Sequence, residues 1–197
     1  MARKQADNYK SKQRSILASA AAVIAKAGIE NASMSQIAER GNVSKALLYH
    51  YYSSKSALIF DIVHNHLTEL DEALVTADKP EQDPEERLGL LILQVLKIYQ
   101  NSDDQHKVQL TCIGTLTSEQ INTVHMVERN IIKRFSDVLL LISPDLENGR
   151  AYLMPTTMSL FGILNWAYLW FKDDGSISRE EYAKLVTKLM LSGMKGI

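Results

Sequence analysis

Three features of the 197-residue sequence predict an all-α fold of about nine helices. Apolar residues recur at three- and four-residue intervals over almost the whole length, no alternating strand run or Asn-Gly hairpin signal appears, and helix start and stop residues bracket the periodic segments. Hydrophobic residues make up 46% and charged residues 23%, with 9 Gly, 4 Pro and 1 Cys, a balance that excludes disordered, collagen-like and disulfide-stapled chains. The length suits a small module joined to a larger one.

The elements follow in order. Ile16, Ala20, Val23, Ile24 and Ala27 form the stripe of a first helix, which Gly28 ends by accepting a left-handed conformation. Ser33 and Gln36 form a capping box that opens a short second helix, and Ser44 opens a third. A long helix is expected over 54–76, with Leu58, Ile62, Leu70 and Leu74 inward, until the charged, Pro-containing linker at 77–82. Asp83-Pro84-Glu85-Glu86 places an N-cap, a first-turn Pro and first-turn acids in their favoured order, so a helix runs from there to about Gln100. Further capping boxes at Ser102 with Gln105, Thr117 with Gln120, and Ser178 with Glu181 accompany helices at 105–116, 119–142, 147–172 and 179–194. The uncharged run from Ala151 to Phe171 has the length of a membrane span, but Pro155, Thr156, Thr157, Ser159 and Asn165 are unwelcome in hydrocarbon, so a helix buried on two faces is expected instead.

The net charge of −1 conceals an asymmetry. Residues 1–55 carry nine cations (Arg3, Lys4, Lys10, Lys12, Arg14, Lys26, Arg40, Lys45, Lys55) against Asp7, Glu30 and Glu39, a net +6. A polyanionic partner therefore belongs at this end. The lone Cys112 makes no intramolecular disulfide and the start of the chain is polar, so a reducing cytosol is expected.

Residues 33–55 read as a capped two-turn helix, a tight turn at Gly41-Asn42 and a second capped helix. Ile37, Ala38, Val43 and Leu48 fall at inward positions, and the pattern is that of a helix-turn-helix. The second helix then turns Ser44, Lys45, Ala46, Leu47, Tyr49 and His50 outward. Ser44 offers a hydroxyl at the helix start and Lys45 a charge for phosphates, while Ala46 and Leu47 suit thymine methyls. Tyr49 and His50 suit backbone contacts, Lys55 opens the next helix as a further phosphate ligand, and Ser35 and Gln36 on the preceding helix complete the candidate DNA-contacting set.

Over residues of about 12–60 the sequence resembles the tetracycline-repressor (TetR) family of bacterial transcription regulators. The resemblance rests on Ile37-Ala38 before the turn, Val43-Ser44-Lys45 opening the recognition helix, Leu48-Tyr-His-Tyr-Tyr52 within it, and Ser54-Lys-Ser-Ala-Leu58 after it. Two positions depart from the family habit. Gly41-Asn42 replaces Ala-Gly, and Tyr52 stands where Phe is usual, so its hydroxyl needs a partner or water. The resemblance implies a helix-turn-helix DNA-binding domain at 1–53 and a ligand-binding and dimerisation domain at 54–197, connected by the helix at 54–76. It further implies a bacterial cytoplasmic homodimer on a near-palindromic double-stranded operator, repressing until a small-molecule inducer releases it. Dimerisation in the family uses the last two long helices, which places Leu160, Leu164, Ala167, Phe171, Tyr182, Leu185 and Leu189 in the interface; Met158, Gly162, Trp166, Leu169 and Trp170 form a second apolar face of the first of these helices. The run from Asn165 to Tyr182 is similar to that of family members controlling fatty-acid, sterol and aromatic-acid breakdown, which implies an acyl-CoA thioester as inducer.

The inducer pocket is expected among the helices at 87–100, 105–116, 119–142 and 147–172. Tyr99, Leu110, Ile113, Leu116, Phe135, Phe161 and Trp166 are its candidate lining, with Arg129 beside Lys133 and Arg134 for phosphates. An enzyme is not expected, because no Gly-rich phosphate loop, Gly-x-Ser-x-Gly or His-Glu-x-x-His motif occurs. No cofactor or metal is expected either, since His64 and His66 are two apart on a helix and point to different sides. The alternative to a regulator is a helical small-molecule carrier or partner-binding module that ignores DNA.

Overall fold

In the computed structural model the described residues are 2–147 and 151–196, with side chains from residue 9 onward except at residue 10. They form nine α-helices and no strand: α1 (Ala2–Ala27), α2 (Met34–Arg40), α3 (Lys45–Tyr51), α4 (Lys55–Ala77), α5 (Pro84–Tyr99), α6 (Asp103–Cys112), α7 (Ser118–Ile142), α8 (Leu153–Trp166) and α9 (Arg179–Met194). The chain divides into two compact units, one of residues 1–67 and 102–125, the other of residues 68–101 and 126–197. This grouping of contacts differs from a cut at 53/54, because α6 belongs with the N-terminal helices and both α4 and α7 run from one unit into the other.

In the first unit α1 packs against both α2 and α6. Ile16, Leu17, Ala20, Ala21 and Ile24 bury one face of α1, and the small side chains of Ala20 and Ala21 let neighbouring helices approach closely. Gly28 ends α1 at φ +77°, the left-handed conformation that only Gly adopts without cost. Tyr52 lies at the C-terminus of α3 and is buried. Its hydroxyl donates to Asp61 Oδ2 of α4 at 3.0 Å and accepts from Gln13 Nε2 of α1 at 3.1 Å, the partners that a Tyr in a Phe position requires. Burial pushes the phenol well above its usual range, so it serves as a donor at any physiological pH.

In the second unit α5 packs against α8 and α9. Phe135 of α7 meets Phe161 of α8 edge to face, 5.1 Å between ring centres. Asp78, just past the end of α4, accepts from Arg87 Nε and Nη2 at 3.0 and 2.9 Å and from Arg134 Nη1 at 3.1 Å. Two guanidinium groups thus fix the end of α4 to α5 and α7.

Most of the expected helix starts are present. Ser33 with Gln36, Thr117 with Gln120 and Ser178 with Glu181 form reciprocal caps, and Asp83 caps α5 ahead of Pro84. Ser102 makes no side-chain cap: its ψ of 18° lies outside the extended region that N-cap residues favour. The expected helix at 147–172 is shorter, α8 followed by a 3-10 turn at Ala167–Leu169, and its first residues fall partly at 148–150, outside the described residues. Pro155 sits in the first turn of α8, where no helical amide is lost. Among the described residues no helix is long and apolar enough to cross a membrane.

Two stability tests follow from buried polar groups. Arg87 is only 8% exposed, so Arg87→Ala removes both hydrogen bonds to Asp78 Oδ1 and is expected to cost about 3 kcal/mol in urea unfolding; a loss under about 0.5 kcal/mol would contradict this. His66 on α4 is buried, its ring centre 5.8 Å from that of His106 on α6. Burial first and His106 second push its pKa down to about 4 from 6.5. Because the folded value lies below the unfolded one, the contribution of neutral His66 is complete above pH 6.5 and fades as pH falls toward 4, by up to about 3 kcal/mol. The urea midpoint should therefore drop from pH 6.5 to 4.5, and drop less in His66→Gln; parallel pH profiles would refute the assignment.

Candidate nucleic-acid interface

The N-terminal unit presents one short helix whose side chains are nearly all outside. In α2, Ser33 Oγ accepts from the Gln36 amide at 3.2 Å and Gln36 Oε1 accepts from the Ser33 amide at 2.8 Å, while Ile37 and Ala38 are buried. Gly41 and Asn42 divide the demands of the turn. A Cβ on Gly41 would come 3.2 Å from the Ile37 carbonyl and 3.5 Å from Ser19 Oγ, so this position needs space; Asn42 carries the positive φ, at 48°, where Asn is the best tolerated side chain after Gly. The Val43 amide then donates to the Ala38 carbonyl at 3.0 Å, closing the turn.

Ser44 Oγ accepts from the Leu47 amide at 3.0 Å and starts α3. Its hydroxyl hydrogen remains available to an outside acceptor. Within α3 only Leu48 is buried; Lys45, Ala46, Leu47, Tyr49 and His50 are exposed, Tyr49 at 52%. Ser35 and Gln36 are exposed on α2, with the Gln36 carbonyl spent on the cap. The structure thus brings eight of the nine expected DNA-contacting residues to the outside of two adjoining helices.

Lys55 is the exception. Its Nζ donates to the carbonyls of Ile29 and, at 2.9 Å, of Ala32, so this cation ties the loop after α1 to the start of α4 instead of standing free for a phosphate. The correction has a plain cause: loop carbonyls left without helical partners are strong acceptors for a nearby ammonium. Sequence reasoning also missed Gln13, Asp61 and Tyr9. Tyr9 stacks on Tyr51 with ring centres 4.7 Å apart and planes 23° apart. The Tyr at position 52 was the available signal for the first two; nothing local marks Tyr9.

The expected inducer-contacting residues are divided between the two units. Leu110, Ile113 and Leu116 lie in the first unit, and Tyr99, Arg129, Phe135, Phe161 and Trp166 in the second. Leu110 is exposed, and Trp166 is 61% exposed on the outer side of α8, which removes both from an enclosed apolar lining. Tyr99, Phe135 and Phe161 are buried, and the Tyr99 hydroxyl donates to Asn165 Oδ1 at 2.9 Å. Arg134 is held by Asp71 and Asp78, and Lys133 by Asp137 at 2.7 Å; Arg129 is exposed. The second unit contains a groove of about 890 Å³ between α5 and α9, floored by Leu90, Leu93 and Leu191, and a charged cleft of about 320 Å³ around Asp78 and Arg134. The cleft includes Lys133 and Arg134 of the expected phosphate-binding cations, while the expected apolar lining residues border neither space.

The interface set requires a similar correction. Leu160, Leu164, Ala167 and Tyr182 are buried inside their own chain, and Phe171 is half-buried under the Arg179 guanidinium. Being core, the first four cannot meet a partner without repacking. Leu185 and Leu189 are exposed, and so are Met154, Met158, Trp166, Leu169 and Trp170. The free apolar face of α8 is thus the second of its two predicted faces. Trp170 meets Tyr182 of α9 edge-on at 5.1 Å, one turn ahead of Leu185.

Comparison with known proteins gives the same architecture a family. Residues 16–62 match the family described as bacterial regulatory proteins, tetR family, and residues 81–194 match the tetracyclin repressor-like C-terminal domain. A TetR-family transcriptional regulator from Bordetella parapertussis 12822 shares 33% identity, covering 94% of this chain and 96% of its own, with a TM-score of 0.86. AibR, solved in complex with isovaleryl coenzyme A and operator DNA, is similar in fold, with a TM-score of 0.75 at 24% identity over 90% of this chain and 97% of its own. The HTH-type transcriptional regulator BetI of Rhizobium meliloti (strain 1021) is 33% identical over 81 residues, 41% of this chain; the match spans about two-fifths of the length of such curated relatives, 40% in this case. With matched segments in both halves and a full-length structural relative at 33% identity, the chain belongs to the TetR family of bacterial regulatory proteins.

Proposed function

We propose that the protein is a ligand-responsive transcriptional repressor that binds a near-palindromic operator as a homodimer in the bacterial cytoplasm and is released by a small molecule, an acyl-CoA thioester. The observation that carries the DNA-binding reading is the exposure of α3. A seven-residue helix that buries only Leu48 and leaves Leu47 and Tyr49 in water gains from a partner that covers it, and the net +6 of residues 1–55 fits that partner to a polyanion. Ser44, Lys45, Ala46, Leu47, Tyr49 and His50, with Ser35 and Gln36, form the contact set, and residues 1–53 make up the DNA-binding part. Residues 54–197 take the inducer and the second subunit, with α4 as the connection. Every role in this scheme is one of binding, and none requires a catalytic group.

Support for an acyl-CoA comes from the similarity of residues 165–182 to regulators of acid breakdown and from the fold shared with AibR, which was solved with isovaleryl coenzyme A. Tyr99, Phe135, Phe161 and Arg129 are retained as candidate contacts. The outward faces of α8 and α9, with Trp166, Leu169, Trp170, Leu185 and Leu189, are the proposed dimer surface; so many exposed large apolar side chains on one chain mark an interaction site.

The test is fluorescence anisotropy on the DNA upstream of the protein's own gene, across a salt series, with a panel of acyl-CoA thioesters. Tight, salt-steep binding that one thioester releases is expected. Lys45→Ala should flatten the logarithmic salt slope by about 2 for a dimer, whereas Lys55→Ala should lower the melting temperature and leave that slope alone. Binding that ignores every thioester would remove the proposed ligand, and thioester binding with no DNA binding would make the chain a carrier. Leu185→Glu with Leu189→Glu should convert the dimer to a folded monomer in sedimentation; a dimer that survives both changes would place the interface elsewhere.

A further inference from the structure

The DNA-contacting set above stops at α2 and α3, yet the most cation-rich stretch of the chain precedes them. Residues 1–14 hold Arg3, Lys4, Lys10, Lys12 and Arg14 against the single acid Asp7. α1 begins at Ala2, and among its described side chains, those of Tyr9 and of residues from 11 onward, Ile16 is the first that is buried in the core. Tyr9 is 47% exposed, and it stacks face to face on Tyr51, the last residue of α3. That contact brings the third turn of α1 to the last residue of α3, the helix that carries Tyr49 and His50. Lys12, half-exposed, stands three residues after Tyr9 and so lies on the same side of α1.

We infer that the first turns of α1 are a second DNA-contacting element, in which the Tyr9 hydroxyl and the Lys12 ammonium meet backbone phosphates next to the stretch that α3 reads. The inference rests on the DNA-binding function proposed above and extends that surface by continuity through the Tyr9–Tyr51 stack. Stacking alone needs only the ring of Tyr9, and packing alone needs no charge at Lys12; a phosphate uses both, the hydroxyl as a neutral donor and the ammonium as a charged one. Such contacts position the protein and add affinity without selecting a base sequence.

The experiment uses the full chain and the same anisotropy titrations over a salt series, with Lys12→Ala and Tyr9→Phe, each checked by its thermal melt. Lys12→Ala is expected to reduce the logarithmic salt slope by about 2, roughly 0.9 for each phosphate contact in each of two subunits. Tyr9→Phe keeps the ring on Tyr51, so it should leave the melt and the salt slope unchanged while weakening binding roughly five- to 150-fold through two lost hydrogen bonds, one in each subunit. A wild-type salt slope in Lys12→Ala, or wild-type affinity in Tyr9→Phe, overturns the inference alone, because the parent protein still binds. A parent protein that binds no duplex overturns the proposed function and this inference with it.

Discussion

A recognition helix of seven residues that keeps one side chain in the core cannot hold its own position. Isolated helices of this length are unstable in water, and burying Leu48 contributes only about 2 kcal/mol. The orientation of α3 is therefore set by what surrounds it. Ser44 and Asn42 fix its start, Tyr51 leans on Tyr9, and Tyr52 at its end is held by Gln13 from α1 and Asp61 from α4. Lys55 completes the frame by tying the loop after α1 to the first turn of α4. The outer face can remain exposed because the contacts that hold the helix lie at its ends and at its one buried position.

The second unit solves a different problem, that of α8. Its two apolar faces have separate fates: Leu160, Phe161 and Leu164 enter the core, and Met154, Met158 and Trp166 stay outside. The apolar run that looked long enough for a membrane is broken by its own composition. Pro155 confines the helix start, and beyond Trp166 the chain tightens into a 3-10 turn that brings Trp170 and Phe171 against Tyr182. What remains is a helix too short to span a bilayer and too apolar on its outer side to be left in water.

Much of this was legible in the sequence, because caps and periodicity are local. Ser33 with Gln36, Asp83-Pro84 and Ser178 with Glu181 mark helix starts by chemistry confined to four residues, and Gly28 marks a stop in the same way. The helix-turn-helix was legible for the same reason, since Ile37, Ala38, Gly41, Asn42 and Leu48 lie within twelve positions. What periodicity cannot supply is which of two apolar faces meets the chain's own core. Leu160 and Trp166 are both apolar in sequence, and only tertiary packing decides that the first is buried and the second is not. The fate of Lys55 was hidden likewise, because its partners, the carbonyls of Ile29 and Ala32, are backbone atoms more than twenty residues away.

These ties converge on α4. It is one uninterrupted helix of 23 residues, about 34 Å long, and each end is anchored by polar contacts of a discrete kind. Near its start Asp61 holds Tyr52, and just past its end Asp78 holds Arg87 and Arg134. Hydrogen bonds and ion pairs of this sort are made or broken, with little in between, which is the property that lets a small displacement at one place become a change of state at another. In the proposed role, an inducer has to favour one arrangement of the Asp78 end over another, and the stiffness of the helix then obliges the Tyr52 end to respond. Thermodynamic reciprocity fixes the consequence: whatever factor the inducer removes from operator affinity, the operator removes from inducer affinity. A ligand that binds without preferring one arrangement of α4 leaves the operator complex unchanged, however tightly it binds.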